Sequence, residues 1–157
     1  MSLDQIRGHI RSSIAVNLAI LEDKEVLAMI ERLAQQCIDA LRKGGKVIFV
    51  GNGGSFANAQ HLSTEFVSRF IYDRAPLASV ALGTNSSTMS AIGNVDGYEQ
   101  FFSREFFAIA KANDVFIPIS TSGNSPNVLA AVKAARELGI TTVGLTGDKG
   151  GQNEVYL

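Results

Sequence analysis

A run of hydroxyl side chains offers the clearest chemistry in this sequence. Four hydroxyls, a glycine and an amide follow one another directly: Ser120-Thr121-Ser122-Gly123-Asn124-Ser125. Pro126 comes next, a residue type favoured at the first position of a helix. Hydroxyl donors and the unpaired N–H groups of a helix N-terminus bind phosphate without lysine, because the helix dipole adds positive potential. The other interpretation is an ordinary serine-rich helix cap, and the missing Gly-Lys-Ser/Thr ending disfavours a nucleotide hydrolase.

Glycines dominate a second segment, Gly51-Asn52-Gly53-Gly54-Ser55, which follows a short apolar run. Glycine lets the backbone approach a ligand closely at such a strand-to-helix turn. A turn without any ligand is the alternative interpretation. We expect Ser55 to cap the helix that follows. The order of the glycines does not match the dinucleotide-binding fingerprint, which disfavours a nicotinamide enzyme.

His61 and Glu65 are four residues apart in the next helical segment. This spacing puts them on one helix face, which we expect about one turn from the glycine segment. Two functions compete for the pair. The side chains suit half of a tetrahedral zinc site, or Glu65 is a general base that takes a carbon-bound proton from a sugar. A solvated surface pair is the alternative without a function.

Apolar periodicity predicts the elements that must position these residues. Helices are predicted at about 3–21, 24–43, 55–70, 87–92, 98–112 and 126–138, and strands at about 46–50, 78–82, 114–119 and 141–146. Strands separated by helices indicate a parallel sheet covered on both faces, with ligands at the carboxyl ends of the strands. Residues 155–157 resemble the start of another strand.

Length and charge limit the classes of function. The 157 residues predict a single domain over residues 1–157, and a net charge of −1 disfavours nucleic acid and anionic membranes as partners. We expect no cleaved signal peptide, because the first five residues lack the basic and then apolar residues of one, and no apolar run approaches the roughly 18 residues of a membrane span. Cys37 lies in an apolar-periodic stretch typical of a buried structural thiol. We therefore expect a cytoplasmic protein.

Five segments together resemble the sedoheptulose 7-phosphate isomerases (phosphoheptose isomerases), a family built on the sugar isomerase (SIS) domain. The resemblance covers nearly the whole chain. Its motifs stand in the family's order: Gly51-Asn52-Gly53-Gly54-Ser55, Ala59-Gln60-His61-Leu62-Ser63-Thr64-Glu65, Ala91-Ile92-Gly93-Asn94, Ser120-Thr121-Ser122-Gly123-Asn124-Ser125 and Leu145-Thr146-Gly147.

The resemblance implies a flavodoxin-like three-layer α/β sandwich with a parallel sheet, preceded by two N-terminal helices. It implies a homotetramer with active sites between subunits. The implied activity is aldose–ketose isomerisation of sedoheptulose 7-phosphate to D-glycero-D-manno-heptose 7-phosphate through an enediol. The product would serve lipopolysaccharide or other surface-polysaccharide synthesis.

The resemblance also implies roles for individual residues. Glu65 would move a proton between C1 and C2, and His61 and Glu65 would ligate zinc. The residues expected to bind the phosphate are Ser120, Thr121, Ser122 and Ser125. Those expected to line the sugar are Asn52, Gly53, Gly54, Ser55 and Asn94.

The sequence departs from the family pattern in three ways. Val95 follows Asn94 where the family usually has Asp, and Asn85 stands where many members have Asp; both changes bear on sugar preference. The family's C-terminal helix carries a Gln and a His that complete the metal site. The chain ends before that helix, so we expect a domain without its C-terminal strand and helix and with half of a metal site. A non-catalytic SIS-fold binding protein, either a phosphosugar sensor or a partner of a replication initiator, is the alternative, although such initiator-binding relatives generally lose the glutamate retained at Glu65.

Overall fold

The computed structural model describes residues 2–147 and 150–151. The chain divides into two compact units, of which the first ends at Gln35. Helix α1 (Leu3–Glu22) begins with a capping box, in which the Ser2 hydroxyl accepts from the Gln5 N–H and Gln5 Oε1 accepts from the Ser2 N–H. Helix α2 (Lys24–Arg42) begins in the same unit. Both predicted N-terminal helices are therefore confirmed.

The second unit is built on a parallel sheet with helices between the strands. Its strands are β1 (Val47–Gly51), β2 (Ser79–Ala81), β3 (Val115–Ser120), β4 (Thr141–Thr142) and β5 (Leu145–Thr146). The intervening helices are α3 (Gly54–Val67), α4 (Ser86–Val95), a 3-10 turn at Tyr98–Gln100, α5 (Phe101–Ile109) and α6 (Pro126–Glu137). The strand order is β2-β1-β3-β4, β5 also pairs with β3, and all of these pairs are parallel.

The side chains of β1 alternate between two halves of the core. Ile48 and Val50 belong to a buried cluster with side chains of α5 and α6, among them Phe106 and Val132. Phe49 points to the other face of the sheet, where its ring centroid lies 6.0 Å from that of Phe66 in α3. Helices cover both faces of the sheet, so the predicted flavodoxin-like three-layer sandwich is confirmed.

The strand predicted at 141–146 is interrupted in the structure. Its two pieces, β4 and β5, pair with β3 in one register, which places Gly144 opposite Pro118. Proline has no N–H to donate to a neighbouring strand. The ladder therefore lacks a hydrogen bond at this point, and the prediction of one continuous strand is wrong.

Two helices also differ from the prediction at their ends. The helix predicted at 98–112 begins as a 3-10 turn, and α5 ends at Ile109. The helix predicted to reach residue 70 ends at Val67, because the Arg74 guanidinium donates to the carbonyl oxygens of Glu65 and Phe66 and satisfies the helix end. Residues 155–157, predicted to begin a further strand, lie outside the described residues. Within the described part of the chain no helix is long and apolar enough to cross a membrane.

The strand order opens a crevice at the carboxyl ends of β1 and β3. From β1 the chain crosses to β2 on one side, and from β3 it crosses to β4 on the other side. Parallel sheets bind ligands at such a switch point, because the connections leave neighbouring strands in opposite directions. Gly51 and Ile119 are paired at this end of the sheet. The two predicted ligand loops therefore begin side by side.

Candidate active site

The glycine loop, residues 51–55, turns the chain from β1 into α3. At Gly51 a Cβ atom would lie 2.6 Å from the carbonyl carbon and oxygen of Ser55, so only glycine lets the first turn of α3 close over the strand end. Gly53 is the N-cap of α3 and has a φ of +54°, in the region that favours glycine. Because Gly53 takes this position, Ser55 lies inside the helix, and the prediction that Ser55 is the cap is wrong.

The hydroxyl loop, residues 120–125, connects β3 to α6. Ser120 is buried at the end of β3, and its Oγ lies 3.2 Å from the Oγ of Ser125. Ser125 occupies the N-cap position of α6, yet its side chain makes no capping hydrogen bond. The interpretation of the loop as an ordinary serine cap therefore does not hold at Ser125, whose hydroxyl is directed towards the loop.

Backbone contacts hold the rest of the hydroxyl loop. The Ser122 hydroxyl accepts from the Asn124 N–H at 3.2 Å and keeps its own proton for donation. Gly123 turns the chain with a φ of +65°. Thr121 and Ser122 are exposed, and the Gly147 N–H donates to the Thr121 carbonyl oxygen at 3.0 Å. The loop thus presents exposed hydroxyl donors on a backbone that its neighbours fix in place.

A reciprocal pair of side-chain amides joins the glycine loop to the first turn of α6, which follows the hydroxyl loop directly. Asn52 Nδ2 donates to Asn127 Oδ1 at 2.8 Å, and Asn127 Nδ2 donates to Asn52 Oδ1 at 2.9 Å. The Tyr98 hydroxyl donates to Asn52 Oδ1 at 3.1 Å. Asn127 is only 2% exposed and was missed by the sequence analysis. The available signal was one amide in the first turn of a helix that is otherwise mostly apolar.

The loop after β2 is also anchored at this edge of the sheet. Asn85 Oδ1 caps α4 by accepting from the N–H groups of Ser87 and Thr88, each at 3.1 Å. The Gly83 N–H donates to Glu105 Oε2 at 2.8 Å. Burial raises the pKa of the Glu105 carboxyl, and the hydrogen bond from Gly83 acts in the opposite direction. Glu105 thereby ties α5 to the third loop at the crevice.

His61 and Glu65 lie together on α3, with His61 Nε2 3.8 Å from Glu65 Oε1. The His61 side chain is 72% exposed and the Glu65 side chain 28%. The prediction that the pair lies about one turn from the glycine loop is wrong, because α3 begins at Gly54 and runs away from the crevice. At a rise of about 1.5 Å per residue, Glu65 lies about 16 Å along the helix axis from that start.

The remaining predicted sugar contact, Asn94, is exposed near the end of α4, and its side chain makes no hydrogen bond within the described residues. The structure therefore brings the glycine loop and the hydroxyl loop together and pairs His61 with Glu65. Among the described residues, the Asn94 side chain makes no hydrogen bond to either group.

Two cavities flank the crevice. One of about 220 Å³ has a mostly apolar lining and lies beside the glycine loop; the lining includes Gly51, Asn52, Gly53, Phe56, Gly83, Met89 and Tyr98. A larger one, of about 570 Å³, lies between the α5 region and α6 and contacts the hydroxyl loop only at Asn124. The hydroxyl-bearing residues of the hydroxyl loop line neither of these two cavities.

Comparison with known proteins relates this geometry to one family. The SIS domain family matches residues 12–147. A phosphoheptose isomerase of Aneurinibacillus thermoaerophilus is 51% identical over 149 residues, which are 95% of this chain and 75% of that protein. Among solved structures, the phosphoheptose isomerase of Neisseria gonorrhoeae has a TM-score of 0.89 at 37% identity and that of Francisella tularensis a TM-score of 0.90 at 35% identity. Both alignments cover 98% of this chain, and they cover 79% and 81% of the two solved chains.

Proposed function

Because the chain belongs to the SIS domain family and, within it, to the phosphoheptose isomerases, we propose that it converts sedoheptulose 7-phosphate to D-glycero-D-manno-heptose 7-phosphate. The product would enter lipopolysaccharide or other surface-polysaccharide synthesis from the cytoplasm. The observation that carries the proposal is that the glycine loop and the hydroxyl loop begin side by side at the switch-point crevice, with the glycine loop held to the start of α6 by the Asn52–Asn127 pair. This arrangement offers hydroxyl donors and close backbone to one phosphorylated ligand.

Four side chains of the hydroxyl loop bind the phosphate in this proposal: Ser120, Thr121, Ser122 and Ser125. The Ser125 hydroxyl is not used as a cap, so in this proposal it donates a hydrogen bond to a phosphate oxygen. The start of α6 adds the positive end of a helix dipole. Asn52, Gly53, Gly54, Ser55 and Asn94 line the sugar.

Glu65 moves the proton in this proposal. Its carboxylate removes a proton from C1 of the ketose while O2 gains a proton, which gives an enediol. The return of a proton to C2 and the loss of the proton on O1 then form the aldose. The half-buried position of the Glu65 side chain supports this role, because a general base must reach the substrate while being shielded from water.

We further propose that His61 and Glu65 supply two ligands to a zinc ion. Two ligands about 2.0–2.1 Å from a tetrahedral metal lie about 3.3 Å apart, and the 3.8 Å between His61 Nε2 and Glu65 Oε1 is close to that distance. The described residues contain no group of three or more His, Cys, Asp or Glu that could hold a metal, so they provide half of a site. Bound zinc would polarise the sugar carbonyl.

The separation along α3 supports an active site shared between subunits of a homotetramer. About 16 Å of helix axis separate the start of α3 from the backbone of Glu65. In this proposal the hydroxyl loop of one copy therefore faces Glu65 of another. Apolar side chains exposed along α1 support association of copies; they include Leu3, Ile10, Ile14, Leu18 and Leu21.

The test is an isomerase assay with the full-length gene product, its Glu65→Gln variant and a control. Glu65→Gln keeps the side-chain size but removes the base, so kcat should fall by about 10² or more. Glu137→Gln alters an exposed carboxylate at the end of α6 and should leave kcat unchanged. A Glu65→Gln enzyme with the wild-type rate would exclude Glu65 as the base.

A further inference from the structure

Val128 determines which way the amide of Asn127 faces. The backbone N–H of Val128 donates to Asn127 Oδ1 at 3.0 Å. A backbone N–H is always a donor, so the atom opposite it must be the carbonyl oxygen of the Asn127 amide. With Asn127 2% exposed and held at the start of α6, this orientation is fixed.

The orientation of Asn127 in turn determines that of Asn52. Asn127 Oδ1 faces Asn52 Nδ2, and Asn127 Nδ2 faces Asn52 Oδ1. Asn52 Oδ1 then accepts two hydrogen bonds, from Asn127 Nδ2 and from the Tyr98 hydroxyl, which fill its two lone pairs. Asn52 Nδ2 has two hydrogens and uses one of them here. Among the residues that the structure describes, the Asn52 side chain therefore has a single N–H left without a hydrogen-bond partner.

We propose that Asn127 is a positioning residue, which fixes the Asn52 amide so that Asn52 presents an N–H, and not its carbonyl oxygen, to the sugar. This inference rests on the proposed function, because it requires a sugar phosphate in the crevice. The group opposite Asn52 must then be a hydrogen-bond acceptor, such as the carbonyl oxygen or a hydroxyl oxygen of the sugar. The same pair holds the glycine loop against the start of α6. Its two partners are 75 residues apart in sequence.

A double-mutant cycle on the full-length gene product tests this inference. The variants are Asn52→Ala, Asn127→Ala and both together, and the readouts are KM, kcat and the calorimetric Kd for sedoheptulose 7-phosphate. Each single change should raise KM and Kd about tenfold, as expected for one lost hydrogen bond in a buried network. The double variant should be no worse than Asn52→Ala, because Asn127 acts through Asn52.

A stability control separates positioning from a general loss of structure. Ser103 is 5% exposed, and its hydroxyl donates to the Gln100 carbonyl oxygen within its own segment. Ser103→Ala should lower the free energy of unfolding and leave KM unchanged. Should Asn127→Ala fail to fold, Asn127→Asp replaces it in the cycle, since it keeps the side-chain size and the acceptor for the Val128 N–H but removes the N–H that Asn52 Oδ1 accepts. Its effect, about threefold on KM, should vanish in the Asn52→Ala background.

The outcomes distinguish the inference from the function on which it rests. In an active enzyme, two results would overturn the positioning role. One is a double variant whose fold-change in KM and Kd equals the product of the two single fold-changes. The other is an unchanged KM and Kd in Asn127→Ala. A wild-type protein that binds the sugar phosphate without turnover would instead overturn the proposed isomerase. In that case the Kd values of the double-mutant cycle still test the positioning role, because they do not depend on turnover.

Discussion

The Ser125 side chain takes an unusual position for a residue that begins a helix. Its hydroxyl lies 3.2 Å from Ser120 Oγ and makes no hydrogen bond to the backbone of α6. Asn85, by contrast, accepts from two backbone N–H groups at the start of α4. One helix start is thus capped by its side chain, while at the other the hydroxyl faces Ser120 in the hydroxyl loop.

Replacing these two residues should give opposite results. Ser125→Ala should weaken phosphate binding about tenfold, because a hydrogen bond to a charged group contributes about 1.5 kcal/mol or more, and should change the free energy of unfolding little. Asn85→Ala should lower the free energy of unfolding by about 1 kcal/mol. Calorimetric titration with inorganic phosphate and urea unfolding would measure the two effects. A Ser125→Ala protein that binds phosphate normally but is destabilised would show that Ser125 is only a cap.

At the site, the residues with suitable chemistry could be predicted more readily than their hydrogen-bond partners. The hydroxyl loop was evident from four hydroxyls ahead of Pro126. Asn127 was not predicted, because its function depends on Asn52, 75 residues away. The cap was wrongly assigned to Ser55, since residue preference favours serine there whereas the structure uses the positive φ of Gly53. The zinc ligands and the sugar contacts stay predictions.

At the scale of elements, the apolar pattern predicted all of the principal helices and the three longer strands. The pattern did not reveal that β3 lies between β1 and β4, because strand order depends on contacts between distant segments. Nor did it show that Pro118 would interrupt the strand paired with it. The elements also depend on one buried ion pair, which joins the start of β1 to the residue before β3: Lys46 Nζ lies 2.6 Å from Asp114 Oδ2.

Removing that pair should destabilise the sheet. The Asp114 side chain is 1% exposed and accepts also from the N–H groups of Lys46 and Lys111. Asp114→Ala leaves these donors without an acceptor. Urea unfolding should therefore show that the free energy of unfolding falls by about 3 kcal/mol or more. Asp73→Ala breaks an exposed pair with Arg69 and should cost less than about 0.5 kcal/mol. Equal losses in the two variants would contradict this account of the buried pair.

At the scale of the whole molecule, the hydroxyl loop begins beside the glycine loop, which leads into α3, whereas His61 lies in the middle of that helix and Glu65 in its last turn. One chain therefore holds both halves of the proposed chemistry, but not next to each other. The family resemblance predicts active sites between subunits. The length of α3 between the glycine loop and Glu65 supports that prediction.

Mixed oligomers should reveal the sharing of sites. Glu65→Gln and Ser120→Ala chains, each with low activity alone, should regain activity when they are unfolded together and reassembled, because some sites combine an intact hydroxyl loop with an intact Glu65. Two preparations that both carry Glu65→Gln serve as the control and should not recover. If verified hybrids gain no activity, each site lies within one chain.

The central claim is that this chain isomerises a heptose phosphate through a proton transfer. The most direct measurement is NMR of sedoheptulose 7-phosphate incubated in 2H2O with the full-length gene product. The account predicts D-glycero-D-manno-heptose 7-phosphate that carries solvent deuterium at C2, because the enediol takes its proton from a base that exchanges with water. Sugar phosphate that binds to the protein and remains unconverted would contradict it.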